Sequence, residues 1–172
     1  MGVETIRRAS KVHPIVDLQI EYAIATRGPE TSIFPELAEL GMSATLYGVF
    51  ARGLLTGSKP SGKGDFRQFQ PRFAGEHSDR NRGVVARLHA FGAERGLTPA
   101  QLALAWVLAK QPTLVPVIGA RTRAQLDDAL VALDRPLSAS DTAALEAIVP
   151  QDAIGGTRYP AEHMKHLDSE RQ

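Results

Sequence analysis

Three short apolar runs, separated by segments of helical periodicity, constrain what this chain can fold into more than any other feature of its sequence. The runs occupy residues 15–22, 42–47 and 113–118, and the first is rich in β-branched and aromatic side chains. Strands that alternate with helices form parallel sheets, so this order predicts an α/β fold with about three parallel strands. The first run, which is mostly apolar, also predicts a buried strand.

Helices are predicted between and around these runs, because apolar residues recur there at helical spacing. The helical segments are residues 3–12, 33–40, 82–95, 99–109, 123–133 and 138–148. Two of them begin at capping boxes, in which a threonine is followed three residues later by a glutamine: Thr98 with Gln101, and Thr122 with Gln125. The helix after Thr122 has three leucines on one face. These helices are expected to flank the sheet.

Two segments lack a clear period. Residues 48–81 form a predicted loop that is long and rich in Gly and Pro, and loops of that length are usually functional. Residues 150–172 are predicted to be a tail that lies over the rest of the chain. Both segments are expected to belong to a single domain that covers residues 1–172.

The number of strands limits the architecture. Three strands cannot close a barrel, and an eight-stranded (β/α) barrel typically needs about 250 residues, whereas this chain has 172. The chain is therefore either a small open sheet or part of something larger. In the second case the outer edges of the sheet are left unpaired, which favours self-association through them.

Composition excludes several classes of function. Hydrophobic residues make up 43% of the chain and charged residues 23%, as in a globular domain. The net charge is +1, and the basic residues are scattered along the chain instead of clustered. Both observations argue against nucleic-acid binding. No cysteine is present, no run is long enough to span a membrane, and His163 and His166 form too small a cluster for a metal site. The sequence therefore predicts a soluble, cytoplasmic protein without a metal.

Five motifs in order carry a resemblance to a known family. They are HPIVDLQIEY at 13–22, YGVFARGLLTG at 47–57, VPVIGAR at 115–121, ALD at 132–134 and GTRYP at 156–160. With these motifs the chain resembles the C-terminal half of an aldo/keto reductase of the bacterial type. The resemblance implies that the three strands are the last three of a (β/α)8 TIM barrel, whose cofactor and substrate lie at the carboxyl ends of the strands.

The resemblance assigns NADPH-binding roles to residues of the first two strands. Gln19 is similar to the family residue that hydrogen-bonds the nicotinamide carboxamide, and Tyr47 to the aromatic ring that stacks on the nicotinamide. Gly48, Arg52 and Gly53 match the start of the loop over the pyrophosphate, although residues 48–51 depart from the usual Ser-Pro-Leu-Gly. Without the family, a polar core residue at position 19 and a core aromatic at position 47 would be the alternatives.

The segment after the third strand has a physical argument of its own. Gly119 makes a turn between a strand and a helix N-terminus, where free N–H groups and the helix dipole favour an anion. The resemblance implies that Arg121 pairs with the 2′-phosphate of NADPH and that Gln125 lies near the adenosine. Ala129 stands where the family commonly has an asparagine that contacts adenine. A solvated surface charge is the alternative for Arg121.

The resemblance assigns no catalytic residue to this chain. The Asp, Tyr, Lys and His tetrad that reduces aldehydes and ketones to alcohols normally precedes the Gln19 strand, so the chain alone is expected to be inactive. A small carbonyl substrate would then require the missing half. Three hypotheses remain open: a truncated oxidoreductase, a nucleotide-sensing or partner-binding module related to channel-associated aldo/keto reductases, and a nonfunctional remnant.

Overall fold

A computed structural model of the chain describes residues 1–170, and its strands and helices alternate as predicted. The strands are β1 (Asp17–Glu21), β2 (Ser43–Tyr47) and β3 (Leu114–Pro116), and they form one parallel sheet in the order β1-β2-β3. The three strands thus have their carboxyl ends at the same edge of the sheet. That edge carries the candidate site.

The described residues also include seven α-helices. They are α1 (Val3–Ser10), α2 (Ile33–Glu39), α3 (Gly75–Ala93), α4 (Pro99–Leu108), α5 (Arg123–Leu130), α6 (Ala139–Ile148) and α7 (Ala161–Met164). The capping box at the start of α4 is complete: Thr98 Oγ1 accepts from the Gln101 N–H at 3.2 Å, and Gln101 Oε1 accepts from the Thr98 N–H at 3.1 Å. No helix among residues 1–170 is both long and apolar enough to cross a membrane.

Helix α3 begins earlier than its sequence predicts. It starts at Gly75 rather than at residue 82, so the loop predicted for residues 48–81 ends at Ala74 and contains three short 3-10 turns. The first turns of α3 have no apolar stripe, and a polar contact holds them to neighbouring segments instead. The fully buried Asn81 side chain donates to the carbonyls of Arg72 and Gly155, each at 2.9 Å, and accepts from the Gly155 N–H at 2.7 Å.

The two faces of the sheet have different surroundings. On the face that packs against the helices, the side chains are at most 7% exposed; these residues are Leu18, Ile20, Ala44, Leu46 and Leu114. On the opposite face, Gln19 is exposed and Val115 is 53% exposed. The prediction of a buried first strand is therefore wrong for one face of β1. We call the exposed side the open face.

Helix α4 supplies the centre of the core. Every residue from Gln101 to Val107 is buried, and Trp106 is fully enclosed. The Trp106 ring lies 5.3 Å from the Tyr22 ring, which in turn meets Phe34 edge-on at 4.9 Å between centroids. Burial of large aromatic rings is among the strongest stabilising contributions a core can have.

Helix α5 and the 3-10 turn after it differ from α4. The three leucines predicted on one face of this segment are present, but Leu126 is 40%, Leu130 42% and Leu133 61% exposed. Only Ala129 and Ala132 of this segment are buried. The apolar stripe is therefore largely uncovered in the described chain.

The unequal faces of the sheet predict unequal effects of truncation. We expect Leu46→Ala to lower the free energy of unfolding by about 2–5 kcal/mol, because Leu46 is fully buried. Val115→Ala, on the open face, should change it by roughly 0.5 kcal/mol or less. Urea unfolding of both variants measures the difference. Equal losses would show that the open face is covered in solution.

Candidate functional site

The candidate site begins with the register of the strands. Glu21 lies beside Tyr47 in the β1-β2 pairing, and the Val117 N–H donates to the Leu46 carbonyl at 2.8 Å, which continues the third strand past Pro116. Because alternate residues of a strand share a face, Gln19 lies on the open face two residues before Glu21. Gln19 and Tyr47 are thus on one face, near the carboxyl edge.

Tyr47 is half-buried at this edge. Its hydroxyl lies 3.5 Å from the Tyr159 hydroxyl, in the C-terminal tail. Burial, and to a smaller extent the hydrogen bond with Tyr159, raise the pKa of Tyr47 to about 12. The ring is therefore held by its hydroxyl and stays neutral across physiological pH.

Two glycines after β2 are required by the backbone. Gly48 has φ +71, and a Cβ there would lie 3.1 Å from Cγ of Glu21. Gly53 has φ +89, and a Cβ there would lie 2.9 Å from the Ser58 Cβ and 3.0 Å from Nη1 of Arg67. Only glycine adopts such conformations without strain. Both predicted site glycines thus permit a tight path for the loop.

Arg52 lies in the same loop with a left-handed backbone, at φ 56. Its guanidinium donates to the Glu21 carboxylate at 3.3 Å and to the Arg158 carbonyl at 3.2 Å. It also lies 4.5 Å from the centroid of the Tyr159 ring, within cation–π range. The predicted pyrophosphate residue is therefore engaged by protein groups.

Arg67 braces the loop and was missed from the sequence. Its guanidinium donates to the Arg52 carbonyl at 3.1 Å, to Ser58 Oγ at 2.9 Å and to the Asp65 carboxylate at 2.7 Å. The hydrogen bond from Arg67 lowers the pKa of Asp65. The only sequence signal was an Asp and an Arg two positions apart, which is too common to identify a brace.

The turn after β3 is open. A Cβ built on Gly119 meets no atom within 4 Å, and Arg121 is exposed with no side-chain partner among residues 1–170. Thr122 caps α5 by accepting from the Gln125 N–H at 3.2 Å, while Gln125 Oε1 accepts from the Arg121 N–H at 2.9 Å. The reciprocal bond of the predicted capping box thus reaches Arg121 instead of Thr122.

The tail contributes residues to which the sequence gave no role. Arg158, 8% exposed, donates to the Glu21 carboxylate at 3.4 Å, and Tyr159 contacts Tyr47 and Arg52. The motif at 156–160 was visible in the sequence, but its partners were not. Elsewhere in residues 1–170, no group of three or more His, Asp or Glu residues is arranged to hold a metal ion.

Comparison with known proteins identifies the class of this fold. A glycerol dehydrogenase of Gluconobacter oxydans, AKR11B4, matches it with a TM-score of 0.80 over 91% of this chain and 50% of that chain. The sequence identity is 22%, so this likeness shows the fold alone. The predicted fold, the C-terminal part of a TIM barrel with three parallel strands and flanking helices, is confirmed.

Sequence relatives identify the family. The model of the aldo/keto reductase family matches residues 1–150. A probable aldo-keto reductase 1 of Glycine max is 35% identical over 91% of this chain and 46% of its own length. Aldo-keto reductase str7 of Strobilurus tenacellus is 32% identical over 98% of this chain and 52% of its own length. The chain belongs to the aldo/keto reductases, a family of oxidoreductases, and spans about half the length of these relatives.

Replacement of glycine by alanine should have unequal effects on stability in the two glycine turns. Gly53→Ala should cost about 1–3 kcal/mol of stability, because it combines a positive φ with a close approach to Ser58. Gly119→Ala, in open space, should change stability by roughly 0.5 kcal/mol or less. Thermal and urea unfolding of both variants would test this. An unaffected Gly53→Ala protein would refute the tight path of the loop.

The environment of Tyr47 predicts the pH at which its hydroxyl ionises. In the folded chain it should ionise near its pKa of about 12, whereas an unfolded tyrosine ionises near 10. Since the folded pKa is the higher one, this contribution to stability is complete below pH ~10 and is lost as the pH rises through the folded value. Tyr159→Phe should lower the pKa of Tyr47 but leave it raised, because burial is the larger cause. NMR of labelled tyrosine rings against pH would measure both values, and an unchanged Tyr47 pKa in the variant would contradict the contact.

Proposed function

We propose that this chain is the cofactor-binding part of an NADPH-dependent aldo/keto reductase. The observation that carries the proposal is the meeting, at one edge of a parallel sheet, of an exposed amide, a half-buried tyrosine ring and two glycine turns. The residues are Gln19, Tyr47, the turn at Gly48–Gly53 and the turn at Gly119–Arg121. Ligands of this barrel bind at that edge.

The nicotinamide side fits the residues present. Gln19 is exposed on the open face, and its amide offers both a donor and an acceptor, as a carboxamide partner requires. Tyr47 is held by its hydroxyl, which leaves its ring as a fixed, neutral surface for an aromatic ligand. In the proposal these two side chains orient the nicotinamide ring.

The adenosine side fits through Arg121. Its guanidinium has no partner in the described chain, and it stands next to the N-terminus of α5, whose dipole favours an anion. Gly119 leaves open space beside it, into which a phosphate oxygen could approach the backbone. We therefore assign the preference for NADPH over NADH to Arg121.

Two proposed residues act less directly than their sequence positions suggest. Arg52 is bound to Glu21 and the Arg158 carbonyl, so it would hold the pyrophosphate loop in shape before it contacts a phosphate. Gln125 uses its side-chain oxygen to accept from the Arg121 N–H, which fixes the backbone next to the arginine. In this proposal Gly48 and Gly53 contribute through backbone path alone.

The bound nicotinamide would supply a hydride to the carbonyl carbon of an aldehyde or ketone. This chain's residues would bind the cofactor and orient it. The proton donor has to come from elsewhere, because no residue here matches the family tetrad. We therefore propose that carbonyl reduction needs a complementary part of the barrel, and that the isolated chain is inactive.

The uncovered apolar surface favours a second candidate, a nucleotide-sensing module that binds a partner. Val16 is 79%, Val115 53% and Val117 49% exposed near or on the open face. Exposed apolar patches mark interaction sites when they are contiguous. Co-expression with a polypeptide that supplies the first five strands of an aldo/keto reductase distinguishes the two: regained reductase activity supports the first candidate, and a stable complex without activity the second.

Arg121 provides the direct test of the proposal. We expect the chain to bind NADPH more tightly than NADH, and Arg121→Gln to weaken NADPH binding by roughly tenfold or more, the loss of a charge-assisted hydrogen bond. NADH binding should change little. Arg123→Gln is the matched control, since Arg123 is also exposed and lies two residues further along, at the start of α5. Nucleotide fluorescence titration measures all three proteins.

Equal affinity of the unsubstituted chain for NADPH and NADH would contradict the role of Arg121. Equal losses from Arg121→Gln and Arg123→Gln would indicate a diffuse surface charge instead of a phosphate site. Oxidation of NADPH by an aromatic aldehyde with the isolated chain would overturn the assignment of the proton donor to another part of the barrel.

A further inference from the structure

A buried carboxylate lies beside the proposed cofactor site. The proposed function assigns no role to it. Glu21, the last residue of β1, is 1% exposed although a carboxylate is expensive to bury without partners. Its side chain fits against Gly48, where any Cβ would come within 3.1 Å of its Cγ. The glycine after β2 thus makes room for Glu21 as well as for the turn.

Two arginines from distant segments share this carboxylate. Arg52 Nη2 lies 3.3 Å and Arg158 Nη1 3.4 Å from the same oxygen, Oε2 of Glu21. Arg52 belongs to the loop proposed to cover the pyrophosphate, and Arg158 belongs to the tail. Arg52 also donates to the Arg158 carbonyl at 3.2 Å. One carboxylate therefore joins the strand, the cofactor loop and the tail.

The residue after Arg158 reaches the nicotinamide side of the proposed site. The Tyr159 ring lies beneath the Arg52 guanidinium at 4.5 Å and is 5.6 Å from that of Arg158. Its hydroxyl is 3.5 Å from the Tyr47 hydroxyl. The position of the Tyr47 ring is therefore coupled to the tail, and the tail is held here by the ion pair with Glu21.

Other contacts hold the tail on both sides of this point. Asn81 binds the backbone of Gly155 before it, and Asp168 after it accepts from the Gly2 N–H and the Thr5 hydroxyl, each at 2.7 Å. The course of the tail as a whole thus does not depend on Glu21. Arg158 also donates to Ser169 Oγ at 3.4 Å. The part assigned here to Glu21 is the placement of Arg158 and Tyr159 against Arg52 and Tyr47.

We propose that Glu21 is a positioning residue of the cofactor site. It contacts no ligand; it sets Arg52 and the Tyr159 hydroxyl and so fixes the Tyr47 ring on which the nicotinamide would stack. The ligand in this inference rests on the proposed function. The match to the family model ends at residue 150, so the contribution of the tail lies outside it.

A positioning role and a purely stabilising role predict different changes in binding affinity. Positioning affects the binding of one half of the nucleotide, whereas stabilisation affects both halves. Glu21 touches the loop and the tail, whereas Gly119 and Arg121 lie beyond β3 and have no described contact with it. Loss of the Glu21 charge should therefore weaken binding through the nicotinamide and leave the adenosine phosphate side intact. General destabilisation would weaken both.

The test compares Glu21→Gln with Glu39→Gln, an exposed carboxylate of α2 without an ion pair in the described chain. For Glu21→Gln we expect NADPH to bind roughly tenfold or more weakly, with unchanged affinity for adenosine 2′-monophosphate, which lacks both the nicotinamide and the pyrophosphate. Amide hydrogen exchange at residues 157–160 and 48–54 should be about tenfold faster or more. Glu39→Gln should match the unsubstituted chain in every measurement.

Parallel loss of both ligands, or unchanged exchange in the two segments, would overturn the positioning role. If the unsubstituted chain binds neither ligand, the proposed function fails, and the exchange measurement still decides whether Glu21 couples loop and tail. Tyr159→Leu is a second variant for the case in which Glu21→Gln does not fold. It keeps the ion pairs of Glu21 with Arg52 and Arg158 and removes only the tyrosine ring and its hydroxyl. It should show the same selective loss of NADPH, and unaltered NADPH binding would also refute the inference.

Discussion

The packing of one side of a three-stranded sheet against a buried helix is the constraint on which the rest of this structure depends. Leu18, Ala44 and Leu46 are buried on this side of the sheet, and α4, which is almost wholly apolar around Trp106, packs against β3. Because the strands are parallel, burying this side brings all their carboxyl ends to one edge. The loops that follow them are then neighbours, whatever their separation in the chain.

The elements predicted correctly from sequence are those specified by nearby residues. Helix α4 combines a capping threonine, a proline in the first turn and an apolar run, and each of these signals is local. The strand runs were visible for the same reason. The open side of β1 was mispredicted because the apolar residues of the run were given more weight than the alternation of Asp17, Gln19 and Glu21 with them, which is typical of a half-buried strand.

The parts that escaped prediction depend on contacts between distant segments. The first two turns of α3 are held to the tail by Asn81 against Gly155, and the proposed site is shaped by Glu21 with Arg158, more than a hundred positions away. A charged residue in a sequence gives no sign of its partner. Family resemblance identified the motifs that carry Arg52 and Arg158, but only the structure shows that they share one carboxylate.

The third strand gives the sheet two unlike margins. Val117 donates inward to β2, so the nitrogen of Pro116, which has no hydrogen, faces away from the sheet. Proline at a sheet margin removes a donor that an added strand would need. β3 is also only three residues long, whereas β1 has five. Backbone pairing with a further strand is therefore less favourable at the β3 margin of the sheet than at the β1 margin.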